Sequence, residues 1–262
     1  MWNDLFSIGP VTIHGYGLMI GLGVLCAILT GYFRAKRLGL SQDPVIDLSI
    51  LVLICGFLGA KVLYVLVSLP AFLADPLSVL GNEGFVVYGG IIGGVCAALV
   101  YCRRKKVYFL DYFDLLAPSV ALAQGFGRIG CFLSGCCYGR ETESALGVIF
   151  PAESMAPAGV KLLPTQLFSS AGDFAIAIAL LLYARKSKRR GDVGALYLVL
   201  YGVGRFLVEF LRNDVRGEVF FLSTSQFISI FAVLGGIVLF VLNRKRKVPQ
   251  AAPVGNEEET EE

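Results

Sequence analysis

Long apolar stretches alternate with short polar segments along most of the chain. A membrane-spanning helix needs about 20 mostly apolar residues, and seven stretches are long enough to be interpreted in this way. They lie near residues 11–33, 45–69, 85–102, 111–132, 166–184, 193–212 and 220–242. The pattern predicts an all-α fold, a polytopic membrane protein with seven transmembrane helices.

Lys and Arg are distributed unequally between the connecting segments. The clusters RAKR, RRKK, RKSKRR and NRKRK follow the first, third, fifth and seventh stretches, whereas the other connections hold only scattered positive charges. Positively charged loops stay in the cytoplasm, so the N-terminus is predicted outside and the C-terminus in the cytoplasm. We interpret the clusters themselves as topology signals that also contact anionic lipid headgroups.

Composition agrees with this class, because 56% of the 262 residues are hydrophobic and only 16% are charged. We interpret residues 1–247 as one seven-span membrane domain. The start lacks the basic n-region of a cleavable signal peptide, so we expect it to be mature sequence. Residues 248–262 are polar and acidic with no apolar pattern, and they are predicted to form a disordered cytoplasmic tail.

Polar groups within the spans indicate where function lies, because ionisable side chains in a bilayer are costly. With the predicted orientation, six spans carry such groups or hydrogen-bonding aromatic residues in their outer half. These residues are His14, Tyr16, Lys61, Tyr88, Arg128, Gln166, Arg205 and Glu209. We therefore expect one polar cavity that opens toward the outer leaflet.

Structural roles are alternatives for several of these residues. Tyr16 and Tyr88 also fit interfacial aromatic anchors, and Lys61 fits a side chain that snorkels to the headgroups. Arg205 lies too deep to snorkel easily, although Glu209, four residues later, could form a purely structural ion pair with it. The depth of Arg205 favours a functional role.

The segment GRIGCFLSGCCYG, residues 127–139, places Arg128 among glycines near the outer end of the fourth span. Arg128 could also snorkel, but the neighbouring glycines favour burial against other backbones. The planar guanidinium fork suits phosphate oxygens. Two arginines that face the outer leaflet, with Lys61 nearby, therefore fit a phospholipid headgroup.

The cysteines fall into two groups. Four lie within spans, where cysteine behaves as a small apolar residue: Cys26, Cys55, Cys96 and Cys102. Three lie on the predicted outer side, where a disulfide is possible: Cys131, Cys136 and Cys137. The one histidine is distant in sequence, so no metal site is expected. The sequence leaves open whether one of the outer three cysteines is a catalytic thiol.

Several motifs together resemble the prolipoprotein diacylglyceryl transferase family. GRIGCFLSGCCYG is similar to that family's signature, which is close to GR-x-GNF-x-N-x-E-x-WG. The other similar motifs follow in the family's order: IHGYGLM at 13–19, GAKVLY at 59–64, YGGIIGG at 88–94, LPTQLF at 163–168 and GRFLVEFLR at 204–212. The resemblance covers nearly the whole hydrophobic part of the chain.

The resemblance implies an enzyme of the bacterial cell membrane that moves the diacylglyceryl group of phosphatidylglycerol onto a lipobox cysteine thiol. A thioether forms and glycerol phosphate leaves. The expected partners are phosphatidylglycerol, prolipoprotein signal peptides and membrane lipids, with no nucleic acid and no cofactor. Five positions match residues considered important in the family: Tyr16, Arg128, Gly139, Arg205 and Glu209.

Three positions depart from the pattern of many members. Tyr88 stands where a histidine precedes Gly-Gly, and Cys131 and Cys136 stand where asparagine and glutamate occur. These departures argue against a mechanism in which a histidine acts as the base. They leave open which group accepts the thiol proton. They also allow a diverged paralogue.

The chemistry expected of the cavity assigns roles to these residues. Arg128 and Arg205 would bind the phosphate, most strongly as charge collects on the leaving group, and Glu209 would orient Arg205. Tyr88 or Tyr16 would hydrogen-bond the glycerol or relay the thiol proton. The other residues assigned to substrate binding are Lys61, Gly89, Gly90, Gly139 and Gln166.

Three other functions are alternatives. A small polytopic transporter would show paired broken spans and an internal repeat, and we find no convincing repeat between the halves. An intramembrane protease would need Ser–His, paired aspartates or a zinc motif in the spans, none of which is evident. A catalytically silent member that binds lipid or signal peptides stays open because of the three departures.

Overall fold

A computed structural model describes residues 4–8, 11–82, 84–187, 189–214, 217–219 and 221–246 of the chain. The predicted acidic tail at 248–262 lies outside these residues. The fold is all-α, as predicted, with short two-stranded hairpins added.

The helices and strands follow one another in a simple order. The elements are β1 Asp4–Ile8, β2 Val11–His14, α1 Gly15–Leu38, α2 Asp43–Val67, α3 Leu69–Ala74, α4 Pro76–Gly81, α5 Val87–Lys105, α6 Phe109–Ser134, β3 Val148–Ile149, β4 Lys161–Leu162, α7 Thr165–Ala184, α8 Asp192–Glu209, β5 Glu218–Val219, β6 Leu222–Ser223 and α9 Thr224–Arg246. Each consecutive pair of strands forms an antiparallel hairpin, β1 with β2, β3 with β4 and β5 with β6.

Every predicted span coincides with a long helix, but some predicted ends were wrong. Residues 11–14, placed at the start of the first span, form strand β2, and the last span begins at Thr224 rather than at 220. The sixth helix ends at Glu209 instead of residue 212. In the first and last cases a hairpin satisfies the backbone hydrogen bonds just before the helix begins.

Five of the described helices are long and apolar enough to cross a membrane: α1, α2, α6, α7 and α9. Helices α5 and α8 have 19 and 18 residues, and each contains three charged side chains, which lowers their apolar character. Large apolar side chains are exposed on several of these helices, for example Phe33, Phe57 and Leu66. Such surfaces suit contact with lipid.

The chain divides into two compact units. Of the described residues, those up to 34 and those from 113 to 246 belong to one unit, and those from 35 to 112 belong to the other. In the first unit, small and apolar side chains of α6, α7 and α8 form a buried core. Its fully packed members are Ala117, Ala121, Ala177, Leu180, Val193 and Tyr197.

A buried carboxylate of α6 fixes the start of α8. Asp114 accepts hydrogen bonds from the backbone N–H groups of Gly191 at 2.6 Å and Gly194 at 2.7 Å. These N–H groups have no acceptor within the helix, so a carboxylate there both caps the helix and complements its dipole. The guanidinium of Arg34 donates to the backbone carbonyl of Leu115, one residue further along α6.

The second unit is built on a close crossing of α2 and α5. Gly59 and Gly89 lie so near each other that a Cβ on either would collide with the other's carbonyl. Small residues of this kind let two helix backbones approach in a membrane. Lys61 ties α2 to the segment before α5, since its Nζ donates to the carbonyl oxygens of Asn82 at 2.7 Å and Gly84 at 3.4 Å.

Candidate functional site

Arg205 and Glu209 form the ion pair that their spacing on α8 predicts. Nη2 of Arg205 lies 3.0 Å from Oε2 of Glu209 and donates to Oγ of Ser225, on α9, at 2.8 Å. Only 14% of the Arg205 side chain and 4% of the Glu209 side chain are exposed. Nη1 of Arg205 is buried and has no hydrogen-bond partner within the described residues.

Arg128 lies on α6, in the same unit as Arg205. The two guanidinium groups are within electrostatic range of each other, and both are within range of Asp173 on α7 and Tyr201 on α8. Arg128 makes no ion pair and no hydrogen bond to the part of the chain that the structure describes. Two cations on different helices therefore share one environment, and the carboxylate of Asp173 is within range of both.

Asp173 is a site residue that the sequence reasoning missed. It is only 6% exposed and lies in the middle of an apolar helix. The signal was available, because an ionisable residue within a membrane span marks a functional position. Asp173 also follows Gln166 by seven residues, which puts both on one face of α7.

The C-terminal end of α6 brings Tyr16 close to the cysteines. A Cβ at Gly130 would lie 3.1 Å from Cδ2 of Tyr16, so the glycine is what allows the ring to pack there. Tyr16 lies within electrostatic range of Arg128 and of the three cysteines at the end of α6. The ring is 41% exposed and is therefore accessible from outside the protein.

Gln166 and Thr165 position the cysteine-containing turn. Nε2 of Gln166 donates to the carbonyl oxygen of Cys136 at 2.7 Å, and Oγ1 of Thr165 donates to that of Cys137 at 2.9 Å. Both side chains are 1% exposed. The first turn of α7 thus anchors the turn that follows α6. Gln166 was predicted to bind substrate, and its described contact is with the protein backbone.

Gly139 lies where three chain segments meet. Its N–H donates to the carbonyl of Leu163 at 2.9 Å, and it forms a β-bridge with Arg212. A Cβ at this position would lie 2.7 Å from Cγ2 of Thr165, so no larger residue fits without displacement. The side chain of Arg212 forms a bidentate pair with Asp214, with Nε–Oδ1 3.1 Å and Nη2–Oδ2 2.9 Å.

A polar cavity of about 390 Å³ adjoins this bridge. Glu209, Arg212 and Asp214 line it, together with Gln226 at the start of α9. Arg128 and Arg205 are not among its lining residues. The cavity and Arg205 are connected through Glu209, whose carboxylate contacts the guanidinium.

The pKa of the Cys137 thiol lies below its ordinary value. Hydrogen bonds from the thiols of Cys131 and Cys136 are the main cause, and the positive charges of Arg212 and Arg128 act in the same direction. A negative charge at Cys137 is therefore favoured beside the two arginines.

The remaining predicted site residues belong to the second unit: Lys61, Tyr88, Gly89 and Gly90. Lys61 contacts backbone carbonyls and also lies 5.0 Å from the ring centre of Phe85, a cation–π distance. Gly89 and Gly90 face carbonyls of α2, so their described role is helix packing. Substrate contacts by these residues stay predictions.

Comparison with known proteins identifies the family. The profile of the prolipoprotein diacylglyceryl transferase family matches residues 3–242. The chain belongs to this family. The match includes Arg128 and Arg205 and extends from before α1 into α9, as far as residue 242.

Individual relatives are similar over nearly their full length. The chain is 50% identical over 242 residues to phosphatidylglycerol–prolipoprotein diacylglyceryl transferase 2 of Clostridium perfringens, covering 92% of this chain and 94% of that protein. It is 49% identical over 245 residues to the phosphatidylglycerol–prolipoprotein diacylglyceryl transferase of Clostridium tetani, covering 93% and 98%. The enzyme of Staphylococcus carnosus is 34% identical over 251 residues, with 93% and 91% covered. The resemblance that the motifs indicated is confirmed.

Proposed function

We propose that this chain is a bacterial cell-membrane enzyme that transfers the diacylglyceryl group of phosphatidylglycerol to the lipobox cysteine of prolipoproteins. The chain belongs to the prolipoprotein diacylglyceryl transferase family, and it is 50% identical to a relative whose name states this activity. The partners are phosphatidylglycerol, the prolipoprotein and the surrounding membrane lipids.

The buried Nη1 group of Arg205 is the observation that carries the proposal. A buried donor without a partner is energetically unfavourable, and within the described residues Nη1 has none. An anionic oxygen of a lipid phosphate would satisfy it, while Nη2 stays with Glu209 and Ser225. Arg128, which has no ion pair in the described part of the chain, supplies the second positive charge.

In the reaction, the thiolate sulfur of the prolipoprotein attacks the glycerol carbon that bears the phosphate ester. The new C–S bond forms as the C–O bond to phosphate breaks, and glycerol phosphate carries away the electron pair. Arg128 and Arg205 stabilise this leaving group, and the benefit is greatest in the transition state, where its charge is developing. Displacement at carbon by a thiolate needs no electron transfer and therefore no redox cofactor.

The thiol proton must leave before or during attack, because an ordinary cysteine has a pKa near 8.5. Tyr16, beside Arg128, and Tyr88, in the second unit, are the proposed relays or glycerol hydrogen-bonding groups. The exposure of the Tyr16 ring is compatible with contact to a substrate that enters from the membrane.

The proposed topology has seven crossings, with the N-terminus outside. Helices α5 and α8 are added to the five more apolar spans. Basic residues lie at the C-terminal ends of α1, α5 and α9 and directly after α7. This arrangement puts Arg128, Arg205 and the cysteine-containing turn on the outer side, where prolipoproteins emerge. Residues 1–247 then form the membrane domain and residues 248–262 a disordered cytoplasmic tail.

The test is transfer with purified full-length protein in liposomes that contain phosphatidylglycerol labelled in its acyl chains. A lipobox peptide is added, with a matched peptide in which serine replaces the lipobox cysteine as the control. Label on the cysteine peptide only is the expected result. Lipid binding without transfer would favour the catalytically silent alternative, and passage of a solute across the liposome would favour a transporter.

A further inference from the structure

The end of α6 gathers three thiols into one cluster. The Sγ atoms of Cys131, Cys136 and Cys137 all lie within 4.8 Å of one another. Within the described residues, no other group of three or more His, Cys, Asp or Glu side chains has this geometry. No metal site was expected from the sequence, because the one histidine lies far from these cysteines. The turn that gathers the three thiols has no local signal in the sequence.

The turn that makes the cluster is held by the protein itself. Gly135 and Cys137 both adopt left-handed backbone conformations, with φ of 74° and 63°. A left-handed cysteine is unfavourable in isolation, so neighbouring contacts must maintain it. The N–H of Cys136 donates to the carbonyl of Cys131 at 3.1 Å, and Gln166 and Thr165 hold the carbonyls of Cys136 and Cys137.

The sulfur spacing is close to the spacing that a metal centre requires. Metal–sulfur bonds of about 2.3 Å place the sulfurs of a trigonal or tetrahedral centre roughly 3.8–4.0 Å apart. A contraction of less than about 1 Å would therefore close the cluster around an ion. Ser134 Oγ donates to Sγ of Cys136 at 3.3 Å, which is the kind of surrounding hydrogen bond that orients a ligand.

The charges near the three thiols are also suitable for a bound metal ion. Three thiolates around a monovalent or divalent cation leave a net negative charge, and such a centre needs compensation when it is partly buried. Arg128 and Arg212 both act electrostatically on Cys137. The arginines offset the excess charge of the thiolates without competing as ligands, because guanidinium has no lone pair to donate.

We propose that Cys131, Cys136 and Cys137 bind one thiophilic d10 metal ion, of the Zn²⁺ or Cu⁺ type, beside Arg128 and Arg212. Thiolate ligands select soft ions of this class over Mg²⁺ or Ca²⁺. The inference is independent of the transfer reaction, which needs no metal, and its test does not measure transfer.

The test uses reduced, chelator-treated full-length protein in detergent, titrated with Cd²⁺ as a spectroscopic substitute. Expected results are one ion per chain, thiolate-to-metal charge-transfer absorption, and no competition by excess Mg²⁺. Single substitutions Cys131→Ser, Cys136→Ser and Cys137→Ser should each weaken binding at least about 100-fold, since loss of a mere orienting partner already costs about 10- to 100-fold. Cys96→Ser and Cys102→Ser, in α5, are the matched controls and should bind as wild type.

A second measurement needs no variant. Cd²⁺ should protect the three clustered cysteines, and not Cys26 or Cys55, from maleimide labelling read by peptide mass spectrometry. Before titration the unfolded protein should show seven free thiols. Absence of binding, binding that survives all three cluster substitutions, or only five free thiols, which would indicate a disulfide, would each overturn the proposal.

Discussion

Arg205 and Glu209 lie one helical turn apart on α8, with Nη2 3.0 Å from Oε2. The same Nη2 donates to Ser225 on α9. One terminal nitrogen of the guanidinium is therefore engaged, while the other terminal nitrogen, Nη1, is buried without a partner among the described residues. The carboxylate and the hydroxyl thus fix the direction of the fork. The substrate would meet an arginine that is already oriented.

Arg205→Lys is expected to lower kcat/KM for transfer by about 10- to 100-fold, the range that corresponds to loss of one charged hydrogen bond. Lysine keeps the positive charge but lacks the fork, so it cannot contact Glu209 and the phosphate with two coplanar groups. The thermal unfolding midpoint controls for folding. A wild-type transfer rate in this variant would show that the fork of Arg205 is not needed to contact Glu209 and the phosphate at the same time.

Glu209→Gln removes the charge of the orienting group and keeps its size. We expect a drop in kcat/KM similar to that of Arg205→Lys, because the fork then loses its fixed direction. The double variant Arg205→Lys, Glu209→Gln tests whether the two act as a unit, since coupled residues give non-additive effects. Additive losses would mean that Glu209 acts independently of Arg205.

Tyr88→Phe removes one hydroxyl and leaves the ring. If the hydroxyl contacts the glycerol or relays the proton, transfer should slow by at least about tenfold, the size of a single hydrogen-bond or proton-transfer contribution. Tyr108→Phe, between α5 and α6, is the control and should keep the wild-type rate. Full activity of Tyr88→Phe would limit that residue to packing.

Asp114→Asn is expected to destabilise the fold without touching the site. Asparagine offers one acceptor oxygen, so Gly191 or Gly194 would lose its partner at a cost of about 1–3 kcal/mol. The matched control is Asp75→Asn at the start of α4, where one exposed bond to Ser78 can be replaced by asparagine with little loss. Thermal unfolding in detergent measures both, and equal midpoints would contradict the capping role.

Gly139→Ala should destabilise the protein by about 1–3 kcal/mol, because the added methyl has no room beside Thr165 and Leu163. Gly127→Ala lies twelve positions earlier, in a helix with nothing within 4 Å of its added Cβ. Alanine there should be neutral or stabilising by up to about 1 kcal/mol. Equal unfolding midpoints for the two variants would show that the segments around Gly139 can move apart to accommodate a methyl group.

The sequence was sufficient to locate the helices, because long apolar stretches have few alternatives to a helix in a membrane. The sequence was not sufficient to predict the hairpins β1–β2 and β5–β6, because their strands are short, partly polar and next to helices. The ion pair of Arg205 and Glu209 followed from their spacing alone. Contacts between distant segments, such as Asp114 with Gly191, have no comparable local signal.

The cluster of thiols illustrates the same limit. The spacing of Cys131, Cys136 and Cys137 did not decide whether two of them form a disulfide. Nothing in the sequence indicates that Cys137 adopts a left-handed conformation. That conformation depends on Thr165, which is 28 residues away. Arg34 is similar, since its position in a basic cluster suggested a topology signal only, whereas its guanidinium also contacts a carbonyl of α6.

The crossing of α2 and α5 at Gly59 and Gly89 is made mainly by backbone atoms, with the Cβ of Leu63 beside Gly89. Association of these helices therefore freezes few side-chain rotamers at the crossing, and most of its entropy loss is in the backbones themselves. Because the two backbones touch there, an acyl chain or detergent tail has no gap to enter between Gly59 and Gly89. This helix pair should keep its geometry when the composition of the bilayer changes, and it can serve as a rigid reference for measuring movements elsewhere in the enzyme.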